Sequence, residues 1–267
     1  RAMLYSIMGK DNKTVKFVKS LKKKSARKEN GCFIAEGKRI AAEALRFCCD
    51  SVRFVMVSEH FAEKELQLMA EFDKTAKNVY AVSDKVFSDI ADTDTPQGIL
   101  AVVDIPCGAY TPSEKDRNIV IIDGVSEPGN MGTVIRTAEA LGFDGVYITN
   151  GSADLYGLKT VRATMGSVFR MKFKTECTAE DVIGLKSMGF ELAATSPCGE
   201  TVMETFKRAE KQAVIIGNEA HGVSDELLTG ADSRIKITMD GMAESLNAAV
   251  AAGIAMHWMK CCAKIRG

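Results

Sequence analysis

Between residues 11 and 104 the apolar positions alternate between helical and strand-like spacing. Val15, Val18 and Leu21 fall on one side of a basic helix predicted over 12–28, whose other faces carry lysine. Apolar runs predict strands at 32–35, 52–57, 78–82 and 98–104, with helices over 38–47 and 62–72 between them. The pattern is that of a small α/β domain over 1–106. Residues 107–117, with Gly108, Pro112 and a charged stretch, break both periodicities and read as a linker.

The second half, 118–267, opens on the apolar strand Asn118 to Asp123, followed by a glycine-containing loop and a helix that stops at Gly142. Further strands are expected at 145–149, 190–194, 213–216 and 234–238. Near-continuous apolar strands separated by helices predict a mostly parallel sheet covered on both faces. The class is therefore α/β in both halves.

Charge adds a polarity to this picture. The chain has a net charge of zero, yet residues 1–30 hold ten Lys and Arg against Asp11 and Glu29. Lys13, Lys16, Lys19, Lys22, Lys23, Lys24 and Arg27 are candidate contacts to a polyanion, because such a helix can bury one stripe and present a basic one. The eight cysteines include two adjacent pairs and no CxxC spacing, and there are only three histidines. A disulfide framework and a metal site are not expected, and a reducing cytoplasm is the natural compartment. No apolar run reaches the roughly 20 residues of a membrane span.

Three segments carry candidate chemistry. In the first, Ile122 to Gly142, a strand runs into Pro128-Gly129-Asn130-Met131-Gly132 and then a helix, with Arg136 opposite the apolar stripe of Val134, Ile135, Ala138 and Leu141. Glycines at a helix N-terminus let a ligand approach the backbone, but the spacing fits neither a dinucleotide fingerprint nor a phosphate-binding loop. In the second, Val214 to Leu227, a strand ends in Gly217-Asn218-Glu219, placing an amide and a carboxylate where open α/β sheets bind ligands. His221 reads as a turn residue. In the third, Ile235 to Met259, a strand and turn precede Ser245-Leu246-Asn247 and an alanine-rich helix, with Ser245 a candidate N-cap.

Taken together, PGNMGTVIRTAEALG, GNEAHGVS and MDGMAESLN resemble the three ordered motifs of the SpoU/TrmH family of RNA ribose 2′-O-methyltransferases, in the SPOUT superfamily. The N-terminal half is similar to the substrate-binding domain often fused in front, which resembles RNA-binding ribosomal proteins. The resemblance implies a C-terminal SPOUT domain with a deep trefoil knot, S-adenosylmethionine as methyl donor, and a homodimer with the alanine-rich helix at its interface. It implies Asn130, Arg136, Glu219, Ser245 and Asn247 as the catalytic neighbourhood. Thr195, Ser196, Gly217, Asn218, Ile237, Met239 and Leu246 are implied as the cofactor contacts.

The implied activity is methylation of a ribose 2′-hydroxyl in structured RNA, ribosomal rather than transfer RNA. The alternative from another class is an RNA-binding protein that keeps the fold without catalysis. Glu127 stands where relatives often carry Asn or Asp, His221 where Arg is common, and Thr238 where proline is frequent. None of the three removes an implied catalytic group.

Overall fold

The computed structural model describes residues 3–6, 9–242 and 245–262, which form two compact units. The first holds residues 1–107 together with 156–169. Its elements are β1 (Met3–Ser6), α1 (Lys13–Ser20), α2 (Lys24–Asn30), β2 (Cys32–Glu36), α3 (Lys38–Cys48), β3 (Val52–Ser58), α4 (Glu59–Lys64), α5 (Leu66–Thr75), β4 (Asn78–Val82), α6 (Asp84–Ile90) and β5 (Ile99–Asp104). The sheet order is β1-β4-β3-β5-β2, parallel across β1, β4 and β3 and antiparallel where β5 pairs with β3 and β2.

The basic segment is two helices rather than one. Val15, Val18 and Leu21 are buried as their spacing requires. The helix ends at Leu21 because Arg27 turns back on it: its Nη1 donates to the carbonyls of Leu21 at 2.7 Å and Lys22 at 2.9 Å. A continuous helix would need those acceptors for the N–H groups of Ser25 and Ala26. Arg27 is therefore corrected from a surface RNA contact to a buried structural cation. Lys22 is also partly engaged, its Nζ donating to Ala91 O at 2.6 Å, and Lys16 pairs with Asp11 at 2.9 Å. Lys13, Lys19, Lys23 and Lys24 are exposed.

The second unit holds residues 108–155 and 170–267. Its strands are β6 (Asn118–Ile122), β7 (Gly145–Thr149), β8 (Phe173–Cys177), β9 (Glu191–Thr195), β10 (Thr201–Val202), β11 (Gln212–Ile216) and β12 (Ser233–Lys236). They form one parallel sheet in the order β10-β12-β9-β11-β6-β7-β8. The central β6, β7 and β11 are buried along their whole length, as their unbroken apolar runs demand. The helices that follow in the chain are α7 (Pro128–Ala140), α8 (Leu158–Ala163), α9 (Ala179–Ile183), α10 (Asp225–Gly230) and α11 (Ala248–His257), all but α8 in this unit.

Two segments depart from the expected boundaries. Helix α8 follows β7 in the chain but belongs to the first unit. There Phe33 meets the rings of Tyr156 and Phe169 at 4.8 and 6.2 Å, and Leu158 joins the core. Arg162 binds Asp92 at 2.6 Å and approaches the buried Glu36 at 3.7 Å. The stretch 107–117 is not a free linker beyond its first residue. Tyr110 is buried in the core of the second unit, its hydroxyl donates to Asp116 at 2.8 Å, and its backbone N–H donates to Phe173 O at 2.9 Å.

The Tyr110 ring lies so close to Gly145 that a Cβ there would come within 1.9 Å of it. Gly145→Ala is expected to cost about 1–3 kcal/mol by overpacking, and much less in a Tyr110→Ala background, as contacting residues couple. Urea denaturation of the single and double variants measures this; an equal cost in both backgrounds would acquit the ring.

Candidate active site

A parallel sheet points the carboxyl ends of all its strands the same way, so the loops after β9, β11 and β12 emerge on one side. They enclose a cleft of about 350 Å³. Ile216, Ile235, Ile237, Met239 and Leu246 supply apolar walls, while Thr195, Ser196, Glu219 and Ser245 supply polar groups. Every cofactor contact implied by the resemblance, from Thr195 to Leu246, lies on its lining. Sequence reasoning did not single out Pro197, Ile235, Ala248 and Ala251, which also line it. Ile235 read only as a strand position and the two alanines as small residues of a buried helix, and Pro197 carried no signal.

The β11 loop has a local cause. Asn218 pairs with Gly222 by two backbone hydrogen bonds of 2.8 and 2.9 Å. Its Oδ1 accepts from the N–H groups of Ala220 at 2.8 Å and His221 at 3.1 Å. Its Nδ2 donates to Gly124 O at 2.7 Å, so this side chain secures the loop to the end of β6. The doubled-back chain passes so near Gly217 that a Cβ there would sit 2.2 Å from Gly222 C, which is why glycine stands at the cleft floor. His221 is exposed at the rim.

Glu219 is the hub. Its Oε1 accepts from Asn130 Nδ2 at 2.9 Å and from Glu127 N at 3.4 Å, and its Oε2 accepts from Ser126 N at 3.2 Å and Ser126 Oγ at 3.3 Å. Partial burial pushes its pKa up, but hydrogen bonds from Asn130 and from backbone N–H groups outweigh it. The net effect holds the carboxyl below its ordinary value and keeps it ionised. Asn130 in turn accepts at Oδ1 from Asn247 Nδ2 at 3.0 Å. The loop after β6, the loop after β11 and the start of α11 are thereby tied in one chain of hydrogen bonds.

Helix starts fix two members of that chain. Glu127 is the N-cap of α7, its Oε2 accepting from Asn130 N at 2.7 Å, and Pro128 follows at the first helical position. Asn247, not Ser245, caps α11, its Oδ1 accepting from Ala249 N at 2.9 Å and Val250 N at 3.3 Å. Ser245 is free of that duty and lines the cleft. Arg136 is exposed on α7; it does not line the cleft and makes no hydrogen bond or ion pair among the described residues. Thr238 donates to Glu204 at 3.2 Å. Ala243 and Glu244 of the third motif lie outside the described residues.

Comparison with known proteins identifies the class to which this fold and site belong, that of the RNA methyltransferases. Residues 117–257 match the model of the SpoU rRNA Methylase family, and residues 12–101 that of the MRM3-like substrate binding domain. The chain belongs to the SpoU rRNA Methylase family. It is 33% identical over 252 residues to the 23S rRNA (guanosine(2553)-2′-O)-methyltransferase RlmP of Bacillus subtilis (strain 168), covering 93% of this chain and 96% of that one.

Among solved structures, an rRNA methyltransferase from Sinorhizobium meliloti superposes with a TM-score of 0.81 at 30% identity, covering 95% of this chain and 96% of that one. The SpoU methyltransferase AviRb from Streptomyces viridochromogenes, in complex with the cofactor AdoMet, gives 0.82 at 26%, covering 92% and 96%.

Asn247 serves two partners with opposite atoms, so two substitutions separate them. Asn247→Ala is expected to lose about 1 kcal/mol with the cap. Asn247→Asp keeps the cap but turns a second acceptor toward Asn130 Oδ1, so its melting temperature should stay near the parent's while methyl transfer falls about tenfold. Parental activity in the aspartate variant would show that the Asn130 link is idle.

Proposed function

We propose that this chain methylates the 2′-hydroxyl of a ribose in 23S ribosomal RNA, with S-adenosylmethionine as donor. The observation that carries the reading is the adjacency of an apolar-walled cleft to the Glu219, Asn130 and Asn247 chain. The relatives named for 23S rRNA, and the solved relatives that carry AdoMet, support the substrate and the donor.

The cleft fits such a donor. Its volume falls in the range of small-molecule sites, about 300–1,000 Å³, and the tight turn at Gly217 makes backbone part of its wall. Ile237, Met239 and Leu246 would hold the adenosine part, with Thr195, Ser196, Gly217 and Asn218 bordering it. When bound, the donor supplies an electrophilic methyl carbon on a sulfonium.

The residues must orient a hydroxyl oxygen toward that carbon, and the hydroxyl proton passes to solvent water. Asn130 and Asn247, fixed through Glu219, present amide groups to the ribose, and Ser245 adds a hydroxyl at the cleft. Orientation of this kind is worth about 7–11 kcal/mol in favourable cases. Arg136 is a permanent cation without a free acceptor, so it grips an RNA phosphate and stabilises the developing alkoxide rather than taking the proton.

The first unit grips RNA through the exposed Lys13, Lys19, Lys23 and Lys24, and the second carries the chemistry. The chain acts as a homodimer, a reading favoured by α11. That helix is apolar on every face, yet Val250 and Ile254, one turn apart, are 51% and 40% exposed. The knot belongs to the same proposal, which rests on membership of the family. No described helix is long and apolar enough to cross a membrane. Cys32, Cys48, Cys49, Cys107, Cys177, Cys198 and Cys261 are free thiols, in keeping with a reducing cytoplasm. No cluster of metal-ligating side chains occurs among the described residues.

Calorimetry is expected to detect S-adenosylmethionine binding. Arg136→Lys is expected to retain that binding while lowering turnover on 23S rRNA more than about tenfold, since an ammonium lacks the planar fork. Near-parental turnover would remove the bidentate role, and absence of cofactor binding with or without RNA would favour a non-catalytic RNA-binding protein.

Neutralising Lys13, Lys19, Lys23 and Lys24 should flatten the salt dependence of RNA affinity by about 0.7 for each single-stranded phosphate that is no longer neutralised. An unchanged slope in a filter-binding series would take this face out of the RNA interface.

A further inference from the structure

We infer that Ser126 is a positioning residue for methyl transfer, holding Glu219 so that the Asn130 amide faces the ribose; the inference rests on the methyltransferase reading above. Ser126 lies in the loop after β6; it neither caps a helix nor lines the cleft itself, but it bonds to Glu219, which does. Both of its donors, the backbone N–H and the hydroxyl, converge on Oε2 of Glu219. The other oxygen serves Asn130 and Glu127.

A carboxylate has about four lone-pair sites, and four donors are present here. Glu219 therefore has little capacity left to receive the proton of a substrate hydroxyl, and its charge is already stabilised by these bonds. Its work is geometric. It presents Oε1 to Asn130 Nδ2, which fixes which edge of that amide is donor and which is acceptor, and Asn247 reads the acceptor edge.

With the Ser126 N–H alone, Oε2 would keep a single donor and the carboxylate would be held less firmly; the hydroxyl supplies the second donor. Because Ser126 is exposed, the fold does not depend on its side chain. The effect should appear in the reaction and at Glu219 rather than in stability.

The test compares the full chain with its Ser126→Ala and Ser126→Thr variants in methyl transfer to 23S rRNA and in a carbon-13 NMR titration of the Glu219 carboxyl. Ser126→Ala is expected to lower kcat about three- to tenfold and to leave KM for S-adenosylmethionine unchanged. It should also move the Glu219 titration upward, since a donor to the charged form is removed. Ser126→Thr, which restores the hydroxyl, should recover kcat and titration together.

A Ser126→Ala variant with parental kcat overturns the inference whatever its titration, and leaves the methyltransferase reading intact. A parent protein that transfers no methyl group to any RNA overturns that reading, and this inference falls with it.

Discussion

The ionised carboxylate of Glu219 is the point on which the site depends. Four hydrogen-bond donors meet it, from Ser126, Glu127 and Asn130, all on the far side of a strand boundary from Glu219 itself. A partly buried charge is costly unless its lone pairs are filled, so these bonds favour contact between the loop after β6 and the loop after β11. Asn247 extends the same constraint to the start of α11. Three segments far apart in the chain are thus held by one charge and two amides.

The sheet makes that contact geometrically possible. β11 pairs with β6 in parallel, Ile216 opposite Ile122, so both strands end at one level and their loops leave side by side. Asp123 reinforces the junction, accepting from Thr149 Oγ1 at 2.8 Å and Ser224 N at 2.7 Å. Backbone then approaches backbone at Gly217, where no side chain fits. The cleft beside this junction is a consequence of tight turns at parallel strand ends, and its apolar walls come from the ends of β11 and β12 and from the loops that follow.

Legibility followed burial. The strands at the centre of each sheet were readable as apolar runs because both faces are covered, and β6, β7 and β11 are buried at every position. The elements that escaped notice include β1, β8 and β10, all sheet edges. An edge strand needs no continuous apolar run: Phe173–Cys177 carries Lys174 and Glu176 and is largely accessible. The break after Leu21 was hidden for a different reason. It depends on Arg27 folding back onto carbonyls, and an arginine at that spacing reads equally well as a surface cation. The same limit placed the α11 cap at Ser245, since either a serine or an asparagine can cap and local pattern does not choose between them.

Sequence by itself determined the class of both halves, the parallel core of the second, and the three motifs that mark the family, because core periodicity and motif order are properties of the chain alone. Through resemblance it also named several of the residues that border the cleft. Only the tertiary structure decided how those residues divide their labour. It joined Glu219, Asn130 and Asn247, left Arg136 exposed, turned Arg27 inward, and assigned 156–169 to the first unit. These outcomes rest on hydrogen bonds and packing between residues distant in the chain, whose partners become definite only when the strands that carry them are side by side.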